Sequence, residues 1–140
     1  MTNKLPDKLS DLIDVALADL EACEADPRYV IDMDEWHYPN RRGHCAVCLA
    51  GSVMAQRLGA SVDTWVTPED FDHETCSSLS ALNSLLCGDI FEAVSDRVGS
   101  GAAKGMNLPP DQEVVEYRFD PAQFKADMRR LAATLREHGL

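Results

Sequence analysis

The stretch Arg41-Arg42-Gly43-His44-Cys45-Ala46-Val47-Cys48 holds the residues of this chain best suited to chemistry. Read as the opening of a helix, Cys45 and Cys48 are three apart and share a face. A tetrahedral zinc site uses such a pair as half of its ligands and needs two more soft donors. The chain has no second Cys-x-x-Cys and no His-x-x-x-His. His37, His44, His73 and Cys76 are the candidates for those two donors, at irregular spacing. As a nucleophile, Cys45 would sit at a helix N-terminus. Unpaired N–H groups and the helix dipole lower a thiol pKa there, and Arg41 and Arg42 would add positive charge.

Arg42-Gly43-His44-Cys45, followed by small residues, resembles the nucleophile helix of transglutaminase-like and papain-like enzymes. Those families place a His and an Asp on strands further along. Here the downstream pattern is helical, and His73 lies in an acidic turn. The same segment also reads as a tightly packed helix. Ala46, Ala50, Gly51, Ser52 and Ala55 let a neighbour approach, while Val47, Leu49, Val53, Met54 and Leu58 supply bulk. Unpaired cysteine is itself small and commonly buried. The expectation is a central buried helix, with no cofactor and no catalytic residue. The alternative is a zinc- or thiol-dependent protein centred on Cys45, Cys48 and His44.

The elements that would position these residues follow from periodicity. With 140 residues and 45% hydrophobic content, the chain fits one globular domain over 1–140. Leu9, Leu12, Ile13, Ala16, Leu17 and Leu20 make one apolar face of a helix from Pro6 to about Glu24, and Asp26-Pro27 ends it. Tyr29 to Met33 reads as a short extended segment. The second helix starts at His44 or Cys45 and ends at Gly59, a left-handed cap. Val62 to Val66 and Val114 to Phe119 read as short strands that would pair. Thr67-Pro68 has the grammar of a helix start. The apolar stripe from Leu79 to Val98 is interrupted at Gly88-Asp89, which predicts two helices or one broken helix. Gly99 to Asp111 reads as a flexible connector. Asp120-Pro121 opens a last helix that buries Phe124, Met128, Leu131, Ala132 and Leu135. The fold class expected is mainly α: a compact domain of about four to five helices, with room for a small two-stranded sheet.

Net charge is −11. Residues 1–35 hold ten acids against Lys4, Lys8 and Arg28, and residues 58–96 hold eight acids with no Lys or Arg. Such a surface repels nucleic acid and anionic lipid and suits a basic protein partner. Asp11, Asp14 and Glu21 form an acidic stripe on the first helix; Asp70, Asp72 and Glu74 form a second group. These six, with Trp36 and Tyr38 as aromatic anchors, are the expected partner-binding residues. No apolar run approaches the ~20 residues of a membrane span, and the first residues lack a signal-peptide core. The expectation is a cytoplasmic protein whose five cysteines are reduced.

Trp36-His37-Tyr38-Pro39, Cys45 to Ala55 and Asp120 to Met128 resemble segments of small proteins carried by temperate bacteriophages and prophages. The resemblance implies a setting in a bacterial host cell and no chemistry. By analogy with anti-CRISPR proteins, it implies an inhibitor of a basic host protein or defence complex. A structural or homo-oligomeric phage accessory protein, for instance a homodimer, is the remaining expectation.

Overall fold

The computed structural model describes residues 4–140. The first helix, α1 (Leu9–Glu24), buries the apolar face the sequence predicts. Behind it the chain forms three short strands: β1 (Tyr29–Ile31), β2 (His37–Pro39) and β3 (Cys45–Val47). Helix α2 (Leu49–Arg57) follows, then a 3-10 turn at Pro68–Asp70, α3 (His73–Leu85), α4 (Ile90–Val98), α5 (Ser100–Lys104) and α6 (Pro121–Glu137). The protein is a compact, mainly helical fold with a small sheet. One apolar cluster joins α1, α2, α3, α4 and α6, with Leu12, Ile13, Leu49, Met54, Leu82, Phe124, Met128 and Leu131 fully buried.

The second helix does not begin at His44 or Cys45. Cys45-Ala46-Val47 is the central strand of the sheet, parallel to β1 and antiparallel to β2. All three residues are buried, the strand having hydrogen-bonded neighbours on both edges. Helix α2 starts at Leu49, and Cys48 is its N-cap in extended conformation, its Sγ accepting the Gly51 N–H at 3.3 Å. The helix ends as expected, with Gly59 at φ +75.

The hairpin expected from Val62–Val66 and Val114–Phe119 does not form. Val66 makes a single bridge, donating its N–H to His37 O at 3.0 Å, and the residues before it form a turn. Val114 to Phe119 is in no strand; α6 holds part of it in place. The Asp127 carboxylate accepts the Val115 N–H at 2.9 Å, and Gln112 Nε2 donates to Asp127 O at 3.0 Å. The connector over 99–111 contains α5. Thr67-Pro68 opens only the 3-10 turn, and Asp72 caps α3 by accepting the Thr75 N–H at 2.8 Å. Around Asp120 the sequence reading holds: its carboxylate accepts the Gln123 N–H at 3.0 Å, Pro121 follows, and all five predicted residues of α6 are buried.

Side chains alternate across the sheet. Tyr29, Cys45 and Pro39, with Ile31, Val47 and His37, point to one face, where Cys23, Ala55 and Val62 cover it. Val30, Ala46 and Tyr38 form the other row, which opens into a cleft.

Candidate functional site: an acidic cleft on the open face of the sheet

The reactive-looking cysteines are packing residues in this fold. Cys45 and Cys48 are almost completely inaccessible and belong to different apolar clusters. Burial pushes each thiol up to about 11, away from the thiolate. Cys45 Sγ is 3.5 Å from His37 Nδ1 and 3.6 Å from Nε2. A sulfur so nearly equidistant from both nitrogens lies over the ring, off the in-plane direction that a hydrogen bond to either would need. His37 Nδ1 donates to Thr64 O at 2.8 Å, because a carbonyl oxygen can only accept. His44 is exposed at the β2–β3 turn, where its N–H donates to Asn40 Oδ1 at 3.1 Å. Among the described residues, no group of three or more His, Cys, Asp and Glu side chains is arranged to hold a metal ion.

Each acid singled out in the sequence has work inside the chain. Arg136 on α6 donates to Asp14 at 2.8 Å and to Asp11 at 3.2 Å. Arg129 donates to Glu21 at 3.0 Å, and Lys125 to Glu24 at 2.6 Å. The acidic stripe of α1 thus faces a basic stripe of α6. Asp72 caps α3, and hydrogen bonds from Thr75 hold its carboxyl below the usual range. Asp70 accepts the Thr67 N–H at 2.9 Å, and Glu74 lies 3.8 Å from Lys4 Nζ.

Unengaged negative charge lies elsewhere. Residues Asp32 to Glu35 form the turn between β1 and β2. Asp32 accepts the Asp34 N–H at 3.0 Å, while the carboxylates of Asp34 and Glu35 have no ion pair or hydrogen bond among the described residues. This turn forms one rim of a cleft of about 1230 Å³. The floor is the open sheet row; the far wall is the end of α3 with Val114, Glu116, Tyr117 and Arg118. Among the described residues Arg118 is the single cation in the lining and lies 3.2 Å from Glu116, so of the four lining carboxylates Asp32, Asp34 and Glu35 have no cationic partner. The Tyr117 hydroxyl donates to Glu24, and burial together with that bond holds its proton well above the usual range.

Of the two expected anchors, Trp36 lines the cleft and packs half-buried against the core. Its carbonyl oxygen accepts the Cys48 N–H at 3.4 Å. Tyr38 is 43% exposed and meets the 66% exposed Trp65 edge to face at 6.3 Å. Sequence reasoning passed over Trp65 and the Asp32–Glu35 turn. The available signal was a run of acids between an extended segment and Trp36.

Comparison with family models, with curated proteins and with solved structures returned no match to this chain.

Proposed function

We propose that the protein acts by binding, and that its cleft takes a positively charged segment of a partner protein. The observation that carries this reading is the unengaged Asp34 and Glu35, with Asp32, on the rim of an apolar-floored cleft, while Asp11, Asp14, Glu21 and Glu24 of α1 are paired with cations of α6. Charge complementarity of this kind steers encounter and selects partners. Val30, Tyr38 and Trp65 supply the exposed apolar contact that charge alone does not. Direct binding of nucleic acid is disfavoured at a net charge of −11. No helix among the described residues is long and apolar enough to cross a membrane. The resemblance to phage proteins supplies the setting: an inhibitor that occupies a basic face of a bacterial host protein or defence complex.

The test is parallel affinity capture from a bacterial lysate at low and moderate salt. The baits are the wild type, the D32K/D34K/E35K variant and the D11N/D14N/E21Q variant. The expected result is a stoichiometric basic partner held by the wild type and D11N/D14N/E21Q, lost from D32K/D34K/E35K and weakened by salt. Each exposed ion pair contributes about 0.2–1 kcal/mol, so losing three costs about 0.6–3 kcal/mol and weakens binding by roughly three-fold to 150-fold. Equal capture by D32K/D34K/E35K would refute the cleft as the site.

A further inference from the structure

We infer that the partner segment binds as an added β-strand on the outer edge of β1. This inference rests on the cleft reading above and specifies the bound conformation. In the parallel β1–β3 pair, Arg28 O accepts the Cys45 N–H at 2.8 Å, and Asp32 N donates to Val47 O at 2.9 Å. The backbone groups of a strand alternate in direction. Arg28, Val30 and Asp32 therefore address β3, and the N–H and C=O of Ile31 point the other way. β1 has β3 as its one hydrogen-bonded neighbour, so the Ile31 groups have no backbone partner among the described residues. By contrast, the outer edge of β2 is closed by the bridge to Val66.

An unpaired edge is a template for another strand, and main-chain hydrogen bonds at such an edge are a recurring mode of peptide recognition. The surroundings fit an extended occupant. Val30 and Ile31 line the cleft together with the Asp32–Glu35 turn. Across the cleft lies Val114 to Tyr117, a β-prone run that has no strand partner of its own. A strand alternates its side chains. One set would extend the row of Val30, Ala46 and Tyr38 outward beside Val30, and Lys or Arg residues near its end would reach Asp32, Asp34 and Glu35. The occupant is thus an extended partner segment that mixes apolar and basic residues.

The experiment selects binders of the full chain from a randomised library of short linear peptides. Each selected peptide is then remade with single backbone N-methyl groups placed along its length. Strand addition predicts an alternating pattern: N-methylation at every second residue weakens binding by about tenfold or more, and the intervening positions tolerate it. It also predicts that the Ile31 amide exchanges rapidly with solvent in the free protein and slowly in the complex, while Val47 is protected in both. Sensitivity without alternation, or unchanged Ile31 exchange with the peptide bound, overturns strand addition and leaves the cleft reading standing. Selected peptides without excess Lys and Arg, or peptides that bind D32K/D34K/E35K equally well, overturn the cleft reading. Protection at Asp11 and Glu21 in place of Ile31 overturns both.

Discussion

Gly51 sits in the first turn of α2, where two rules predict opposite outcomes for Gly51→Ala. Helix propensity alone favours alanine by roughly 0.5–1 kcal/mol. The structure opposes it. A Cβ at Gly51 would overlap the Trp36 carbonyl oxygen and come within 2.8 Å of its carbon and 3.2 Å of Val47 Cβ. The obstacle is backbone and cannot rotate away. The same carbonyl oxygen accepts the Cys48 N–H, so relief of the clash also breaks that bond. Overpacking costs about 1–3 kcal/mol, and the lost hydrogen bond about 1 kcal/mol more. The net expectation is a loss of about 2–3 kcal/mol, or roughly 5–10 °C in Tm for a chain of this length. Urea denaturation followed by circular dichroism measures it, with the midpoint lowered and the slope unchanged. Gly101→Ala in α5 is the control: no atom outside its own turn lies within 4 Å of its Cβ, so propensity alone acts and stability is unchanged or slightly raised. A Gly51→Ala protein as stable as the wild type would refute the close approach of α2 to Trp36, and with it the placement of the Asp32–Glu35 turn.

The thiols make a separate prediction: in native protein at mildly alkaline pH, alkylation reaches the exposed Cys87 first, while Cys45 and Cys48, held near 11 by burial, react only on unfolding. Mass spectrometry of the alkylated sites reads this, and fast reaction at Cys45 would contradict it. Asp127→Ala frees Val115 and Gln123 from their hydrogen bonds and is expected to cost about 1–3 kcal/mol, with faster amide exchange over 112–117 as its local signature. Burial alone would raise the Glu24 carboxyl, but hydrogen bonds from Lys125 and Tyr117 outweigh it and hold the group below its ordinary value of 4.5. Its contribution is therefore full above that value and lost as pH falls through the lower folded value, so Glu24→Gln flattens the acid limb of the stability curve. Arg136→Gln removes the pairs to Asp11 and Asp14, which are half exposed, and should lower Tm slightly at low salt and not at high salt.

Long amphipathic helices with clear caps were legible in the sequence. α1 and α6 each carry their buried face at helical spacing, and Asp120-Pro121 marks the start of α6 through local hydrogen bonding alone. β3 was not legible, because three residues give no period to read and its partners lie at distances in sequence that no local rule measures. The Cys-x-x-Cys spacing therefore pointed to a shared helix face, whereas one cysteine belongs to a strand and the other to a cap. The stripe of Asp11, Asp14 and Glu21 was visible, and so were the basic residues of α6. That the two stripes face each other is a fact of tertiary packing, and it leaves the Asp32–Glu35 turn, not the α1 stripe, as the acidic group without cationic partners beside the cleft. Val114 to Phe119 has β-prone residues, but the Val115 N–H is drawn to the Asp127 carboxylate instead of to Val62–Val66.

The central claim, that the cleft beside β1 takes a basic segment, is tested most directly by titrating isotope-labelled protein with a selected Lys/Arg-rich peptide and following amide chemical shifts. The account predicts saturable shifts concentrated at Val30 to Tyr38 and Val114 to Arg118, lost in the D32K/D34K/E35K variant. Shifts centred on the α1–α6 face at Asp11, Glu21 and Arg129, with the cleft silent, would contradict it.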